Sequence, residues 1–253
     1  PQTKAICLYI EGLLNGARFR KAAAACRRAG KPLLLVKTGR TEAGVKAAQS
    51  HTASLAGSFE AFSAVCRDNG VVIARDIDDM LRAAHFLVSY PARKRRSDGG
   101  VGVISSSGGT AGISSDRITE VGLRLARTNA QTREAMQKLL LPPQAGNPID
   151  LGGRVVPESV EIAGDATRLL LADPDVDYGM AVLTSMPFIQ KRSLLIAEGA
   201  RDSGKPCITA LLPGAAADPT REEFRRRGLF HVSSFEDALR VIGLVAEHDR
   251  LAV

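Results

Sequence analysis

The sequence contains no tryptophan, and aromatic residues fill only 4% of its 253 positions. Modules that bind single-stranded nucleic acids depend on exposed rings for base stacking, so this composition argues against that class of protein. No apolar run in the sequence reaches the length that crosses a bilayer, and no signal peptide is recognisable. We therefore expect a cytoplasmic protein that binds neither nucleic acid nor membrane.

Cysteine is also scarce, and its spacing argues against two common uses. The four cysteines lie far apart and form no C-x-x-C pair, at Cys7, Cys26, Cys66 and Cys207. Zinc sites and disulfide frameworks need closer or patterned spacing, so we expect neither, and no metal site. Cys7 and Cys207 fall inside apolar, strand-like runs, which predicts reduced and buried thiols.

What the chain does have is a large apolar fraction and a positive charge. Hydrophobic residues make up 45% of the sequence, enough for one large domain or two of ordinary size. The net charge of +7 suggests anionic partners such as phosphates, nucleotides or an acidic subunit. The chain opens with Pro1 and not with methionine, so we expect a fragment of a longer protein.

Short apolar runs alternate with helical patterns along the chain. The runs are typical of buried parallel strands, at 5–10, 32–36, 71–74, 101–104, 178–183, 207–212 and 230–232. This alternation predicts an α/β fold with parallel sheets and helices on both faces. The basic, Ser- and Gly-containing stretch at 91–100 predicts a linker between a domain at 1–90 and a domain at 101–253.

The two halves also resemble each other. Residues 30–35 (GKPLLL) match 204–209 (GKPCIT), and 70–73 (GVVI) match 228–231 (GLFH). These matches predict two copies of one β-α-β-α unit. The second copy is preceded by a block from 99 to about 177 that has no counterpart in the first. We therefore expect the first domain to lack its N-terminal part and to expose a sheet edge.

One segment holds the clearest candidate for catalysis. The strand at 32–36 leads into a Gly-rich loop with Lys37 and Arg40, and Ser50-His51-Thr52 then comes just before a helix that opens near Phe59. Histidine can act as a nucleophile near neutral pH, and hydroxyls, amides and a helix start suit an anion beside it. From these residues alone, His51 either carries a phosphoryl group or is an ordinary polar histidine in a loop.

Three other motifs are open to a functional or a structural interpretation. Glu11 directly follows the first strand and is either an active-site carboxylate or an ion-pairing one. Residues 105–112 (SSSGGTAG) join a strand to a helix start and form either an anion cradle or a tight turn, although no Walker A lysine follows. Residues 147–151 (NPIDL) form a turn around a fixed proline.

Together these motifs resemble one family. Residues 37–44 (KTGRTEAG) and 50–57 (SHTASLAG) resemble the phosphohistidine segment of the NDP-forming (ADP-forming) acyl-CoA synthetases, relatives of succinyl-CoA synthetase. Residues 8–12 (LYIEG) resemble the strand whose glutamate orients that histidine. Residues 107–112 with Asp116 resemble the turn that opens the next domain, and 147–150 resemble its Asn-Pro-x-Asp motif. The four motifs stand in the family's order and cover essentially the whole chain.

The resemblance implies two flavodoxin-like (succinyl-CoA synthetase-like) ligase domains, the first truncated at its N-terminus. It also implies that a CoA-binding domain and an ATP-grasp module lie outside this stretch, on the same chain or on a partner, in a homo- or hetero-oligomer. CoA and ATP or ADP with Mg²⁺ would bind mainly to those other parts. This stretch alone would be inactive.

The reaction implied by the resemblance interconverts acyl-CoA, ADP and phosphate with a carboxylic acid, CoA and ATP. It passes through acyl phosphate and a phosphohistidine at His51, with Glu11 orienting the imidazole. The phosphoryl oxygens would be held by hydroxyls and amides of Ser50, Thr52, Ser107, Gly108, Gly109 and Thr110. Lys37 and Arg40 are candidates for anion binding, or alternatively solvated loop charges.

One departure from the family and two alternatives accompany this hypothesis. Ala53 stands where the family usually has glycine, which affects the expected loop geometry. Some relatives joined to a protein acetyltransferase domain use the ligase-like part as a regulatory module and lack the histidine, so His51 argues against that role. A third interpretation is a non-catalytic, phosphate-binding pair of domains. The other histidines, His85, His231 and His248, are expected to be structural.

Overall fold

The structure is a computed structural model that describes residues 2–52, 58–90, 99–152, 157–184 and 189–252. Side chains are described over the same ranges apart from 48–52 and 157–159. The chain divides into two compact units, one formed by residues 1–93 with 244–253 and the other by residues 94–243. Each unit contains its own parallel sheet and its own hydrophobic core. Most of the linker predicted at 91–100 lies outside the described residues.

The first unit is built on a three-stranded parallel sheet in the order β1-β2-β3. Its elements are β1 (Ile6–Ile10), α1 (Gly16–Arg28), β2 (Leu33–Lys37), α2 (Glu42–Thr52), α3 (Phe59–Asp68), β3 (Val72–Ala74) and α4 (Ile77–Ser89). Asn15, Ser58 and Asp76 begin three of these helices, because each side chain accepts a hydrogen bond from a backbone N–H in the first turn. The core of this unit includes Phe19, Ala23, Leu33, Leu35, Cys66 and Val71.

The second unit is built on a larger parallel sheet in the order β5-β4-β7-β8-β9, with β6 also pairing with β4. Its first elements are β4 (Gly100–Ser105), α5 (Gly108–Glu120), β5 (Arg124–Leu125), α6 (Ala130–Gln137) and β6 (Ile149–Asp150). The remaining elements are α7 (Pro157–Ala172), β7 (Val176–Leu183), α8 (Ile189–Ser203), β8 (Cys207–Leu211), α9 (Asp218–Arg226), β9 (His231–Val232) and α10 (Phe235–Leu251). The last turns of α10 belong to the first unit by the division given above.

The α/β class with parallel sheets and alternating helices is confirmed. The internal repeat is visible as well, since β1, β2 and β3 follow one another across the first sheet as β7, β8 and β9 do across the second. Gly30 and Gly204, which end the first helix of each copy, have φ of +61° and +65°, a left-handed conformation that favours glycine. No helix within the described ranges is both long enough and apolar enough to cross a membrane.

The copies differ in the segment that joins their second and third strands. Leu35 pairs with Ile73, 38 positions later in the chain, whereas its counterpart Thr209 pairs with His231, 22 positions later. The first copy therefore carries 16 more residues in this connection. Because α3 and α9 each lead directly into the third strand of their copy, α2 is the additional helix.

The sequence predicted a Gly-rich loop after the strand at 32–36 and the next helix only near Phe59, but residues 42–52 form α2. The helix begins at Thr41, whose hydroxyl oxygen accepts a hydrogen bond from the Gly44 N–H at 3.2 Å. Glu42 in the first turn suits the helix dipole, and the alanines that follow are strong helix formers. The two glycines and the basic residues concealed this pattern in the sequence.

The prediction that Cys7 is buried was also wrong. Exposure alternates along β1, so that Cys7 and Tyr9 share its exposed face, and Tyr9 is 55% exposed. Cys66 and Cys207 are buried, and burial raises the pKa of both thiols to about 12. All four cysteines are free thiols.

Candidate functional site

A cleft of about 560 Å³ lies at the carboxyl ends of β1 and β2. This is the edge of a parallel sheet where ligands commonly bind. The cleft is lined by two residues at the end of the first strand, four that end and follow the second strand, and two from α2: Tyr9, Glu11, Lys37, Thr38, Gly39, Arg40, Gly44 and Ala47. The structure therefore brings together three of the predicted site residues, Glu11, Lys37 and Arg40.

Lys37 is buried and not a solvated loop charge, since only 3% of it is exposed. Its ammonium group donates a hydrogen bond of 2.6 Å to the backbone carbonyl of Glu11 and another to the carbonyl of Thr38. The ammonium nitrogen also lies 5.9 Å from the centre of the Phe62 ring, within cation–π range. Burial lowers the pKa of Lys37, and the charge of Glu11 partly offsets that effect.

The turn after β2 shapes the floor of the cleft. The Thr38 N–H donates to the Ile10 carbonyl at 3.1 Å, which joins the ends of the first two strands. Gly39 has φ of +69°, which favours glycine here. The guanidinium of Arg40 lies 4.9 Å from the centre of the Phe59 ring, so an aromatic face holds this cation at the cleft.

The hydroxyl of Thr38 is a group of the cleft that the sequence analysis did not single out. Its Oγ1 atom is buried and has no hydrogen-bond partner among the described residues. A buried hydroxyl without a partner is costly in a folded protein. Its position at the lining of a cleft suits a ligand oxygen as the missing partner.

The predicted residues Ser50, His51 and Thr52 form the last positions of α2. Their side chains, and the whole of the departure at Ala53, lie outside what the structure describes. Position 51 follows Ala47 by four residues, which is about one helical turn. Ala47 lines the cleft, so the helix that contains position 51 borders it.

The second predicted anion site is the turn between β4 and α5. Ser105 closes this turn, because its hydroxyl donates to the Ser107 carbonyl at 2.8 Å and accepts from the Ser107 N–H at 3.1 Å. Ser106 pairs with the Thr184 hydroxyl at 3.0 Å. Gly108 and Gly109 are exposed at the start of α5, whose first amides have no partner within the helix. The amides, more than the serine hydroxyls, are thus the donors that this turn offers.

The Asn-Pro-x-Asp motif divides into a structural and a site-facing half. The Asn147 amide donates to the Val101 and Ala126 carbonyls, each at 2.9 Å, and its oxygen accepts from the Val103 N–H at 2.8 Å. Asn147 therefore fixes the loop to β4. Asp150, by contrast, lies at the turn, since a Cβ built on Gly108 would be 3.1 Å from its Oδ2 atom.

Asp150 makes the turn predicted to bind an anion less positive than its sequence suggests. A carboxylate beside exposed amides competes with any second anion. The buried guanidinium of Arg192 in α8 partly balances the charge of Asp150. Burial lowers the pKa of Arg192, and the charge of Asp150 partly offsets that effect. The described residues contain no cluster of three or more His, Cys, Asp or Glu side chains suited to a metal ion.

Comparison with known proteins identifies the first of these regions. Residues 1–87 match the family model described as the succinyl-CoA ligase-like flavodoxin domain. The chain contains a succinyl-CoA ligase-like domain. The resemblance to the NDP-forming acyl-CoA synthetases that the four motifs suggested is thus confirmed.

Relatives of this ligase-like chain extend the match beyond residue 87. The alpha subunit of ADP-forming acetate–CoA ligase II from Pyrococcus furiosus is 32% identical over 237 residues, which are 90% of this chain and 50% of that protein. ADP-forming acetate–CoA ligase I from Archaeoglobus fulgidus is 29% identical over 99% of this chain and 35% of its own length. The chain thus spans half or less of these two relatives.

Solved structures support the fold of the ligase-like chain over its full length. The dinucleotide-forming acetyl-coenzyme A synthetase 1 of Ca. Korarchaeum cryptofilum, in complex with phosphate and ADP, superposes with a TM-score of 0.85. It is 23% identical, and the match covers 100% of this chain and 54% of the other. At this identity the likeness establishes the shared fold.

Proposed function

We propose that this chain is the phosphoryl-carrying part of an ADP-forming acyl-CoA synthetase, with His51 as the carrier. The supporting observation is the cleft at the end of β1 and β2, which unites the Glu11 carboxylate, two cations and the helix whose last turn contains His51. The relatives with matching sequence are named ADP-forming acetate–CoA ligases, which fits this chemistry. The proposal covers the phosphoryl transfer and names no acyl group.

The proposed reaction runs in three balanced steps. Phosphate attacks the thioester of acyl-CoA, which releases CoA and leaves acyl phosphate. A ring nitrogen of His51 then attacks the phosphorus, and the carboxylate of the acid departs. Finally, a terminal oxygen of ADP attacks the phosphohistidine, which forms ATP and restores the free imidazole.

The role of Glu11 follows from the needs of the histidine. A neutral imidazole has one nucleophilic nitrogen and one N–H, and an unperturbed pKa of about 6.5 leaves it mostly neutral at pH 7. A carboxylate that accepts the N–H fixes the tautomer and stabilises the charge that develops during attack. Glu11 is the carboxylate at this cleft, and we assign it that role.

Several groups are proposed to hold the phosphoryl oxygens. Ser50 and Thr52 flank His51, and Arg40 lines the cleft. The second unit offers its own donors at the start of α5, the amides of Gly108, Gly109 and Thr110 with Ser107, and we propose these as a further phosphate-binding group. Preorganised donors of this kind stabilise charge without reorganising during the reaction.

The remaining components are proposed to lie outside this chain. An ATP-grasp domain or subunit would bind ATP or ADP with Mg²⁺, and a CoA-binding domain would bind CoA, within a homo- or hetero-oligomer. On this basis the isolated fragment would not complete a reaction cycle.

Labelling the intact enzyme tests the proposal. The full-length protein, with its nucleotide-binding module, would be mixed with ATP labelled at the γ-phosphate and then digested. We expect acid-labile, base-stable label on the peptide that contains His51. Bound nucleotide without label on that peptide would overturn the proposal and would favour a regulatory module or a non-catalytic phosphate-binding pair.

Replacing Glu11 by glutamine should slow phosphorylation of His51 by about 10²- to 10⁴-fold. Glutamine keeps the shape of the side chain but removes the charge that fixes and stabilises the imidazole. The measurement is the single-turnover rate of label transfer from ATP. Glu42→Gln is the matched control, since Glu42 is an exposed carboxylate of the same unit in the first turn of α2, and its rate should be unchanged. Equal rates for both variants would contradict the role of Glu11.

A further inference from the structure

Lys37 is a charged residue in a place where the fold accepts an apolar one. It ends β2 and pairs with Ile10, and its counterpart in the second copy, Leu211, ends β8 and pairs with Leu183. The backbone bonds beyond these pairs also match, because the amides after Lys37 and Leu211 each donate across the sheet at 3.1 Å. Leu211 is fully buried, so the strand end itself does not require a cation.

The residue that follows the first strand differs between the copies in the same way. Glu11 follows Ile10, and Thr184 stands at the matching position after Leu183. The lysine and the glutamate thus occur together in the first copy, and both are replaced in the second. Because both residues are replaced together, we relate the presence of the buried ammonium group to the neighbouring Glu11 and not to the pairing of the strands.

The second copy also shows what a purely structural cation does at this position. Arg221 of α9 donates to the carbonyls of Leu211 and Leu212 at 3.2 and 2.8 Å. Leu212 corresponds to Thr38, so each copy caps the same carbonyl with a cation. Besides these carbonyls, Arg221 bonds Gly214 in the turn after β8 and Asp218 at the start of α9, whereas Lys37 bonds the peptide of Glu11, which follows the neighbouring strand β1.

We propose that Lys37 is a positioning residue for Glu11: its ammonium group joins the Glu11 and Thr38 carbonyls and so holds the carboxylate at the cleft while His51 is phosphorylated. This inference rests on the proposed function. It also replaces the sequence-based assignment of Lys37 as an anion ligand, because two of its three N–H donors are already used by backbone carbonyls.

The bond to Glu11 depends on the charged form of the lysine, which gives a pH signature. A neutral amine is a weaker donor and loses its attraction for the carboxylate. Burial lowers the pKa of Lys37, so the ammonium form is lost at a lower pH than for an exposed lysine. The other charged or titratable groups that line this cleft are Glu11, Tyr9 and Arg40. We therefore expect phosphorylation to slow as the pH rises through the lowered pKa of Lys37.

The experiment compares four forms of the full-length enzyme with its nucleotide-binding module. The single-turnover rate of label transfer from ATP is measured from pH 6 to 10 for the wild type, Lys37→Arg, Lys37→Met and Arg221→Met. Lys37→Arg should keep most of the neutral-pH rate and move the alkaline fall to higher pH, because arginine stays charged. Lys37→Met should be slower by about 10- to 100-fold at neutral pH, with an unchanged KM for ATP and no such fall.

Arg221→Met is the matched control, since it removes the corresponding carbonyl cap from the second copy. It should lower the melting temperature and leave the rate and its pH profile unchanged. If Lys37→Met behaves like Arg221→Met, the positioning role is overturned and only a structural one remains. If Lys37→Met does not fold, the pH profile of Lys37→Arg tests the proposal. A labelling rate of Lys37→Arg that falls at the same alkaline pH as the wild-type rate overturns it. A wild type that takes no label overturns the proposed function and, with it, this inference. A labelled wild type whose rate matches that of Lys37→Met overturns this inference alone.

Discussion

Replacement of His51 by alanine is expected to lower ATP formation from acyl-CoA, ADP and phosphate by about 10⁴-fold or more. Alanine offers no nitrogen to attack acyl phosphate, and the proposed route has no second carrier. The measurement is the steady-state rate of ATP formation by the full-length enzyme with its nucleotide-binding module. Release of CoA from acyl-CoA and phosphate should persist, since acyl phosphate forms before the histidine acts.

The control for this loss is another histidine of the same unit. His85 is exposed on α4 and does not line the cleft, so His85→Ala should keep the wild-type rate. A His51→Ala enzyme that still forms ATP at a similar rate would show that phosphate passes to ADP without this residue. Loss of activity in both variants would point instead to a general loss of structure.

Replacement of Gly199 by alanine is expected to destabilise the second unit by about 3 kcal/mol. A Cβ at this position would lie 2.5 Å from the carbonyl oxygen of Gly164, which belongs to the facing helix α7. That oxygen is part of the backbone and cannot move away as a flexible side chain would. The helices α7 and α8 would have to separate, which would open an apolar cluster of this unit.

The free energy of unfolding, measured by denaturant titration, tests this expectation. Gly243→Ala provides the comparison, because Gly243 lies inside α10 and no described atom falls within 4 Å of a Cβ built there. Without a clash, alanine should stabilise the helix by about 0.5 to 1 kcal/mol. A similar small change for Gly199→Ala would mean that α7 and α8 do not approach as closely as described.

The longer strands were predictable because a strand buried on both faces appears in the sequence as a continuous apolar run. All five residues of β2 are buried, and four of them are apolar. The apolar runs of β4, β7 and β8 were recognised in the same way. The short strands β5 (Arg124–Leu125) and β6 (Ile149–Asp150) were not predicted, since neither forms part of a continuous apolar run. Their existence depends on pairing with β4, a tertiary contact that local sequence does not encode.

The candidate site was predictable in its residue types but not in its contacts. Glu11, Lys37 and Arg40 were singled out from motifs, and the structure places all three at one cleft. The sequence did not reveal that Lys37 is buried against backbone carbonyls, because a lysine at the end of an apolar run usually marks the return to solvent. Asn147 lies in a motif that was open to a functional or a structural interpretation, and its amide tethers the loop to β4.

The longer connection between β2 and β3 is inexpensive for the fold to carry. Closing a chain over 38 positions instead of 22 costs only about 0.5 kcal/mol more in loop entropy, since this cost grows with the logarithm of length. That is less than the free energy gained by burying one methylene group, about 0.8 kcal/mol. A domain of this type can therefore gain a helix such as α2 by insertion while its sheet register, and nearly all its stability, stays the same.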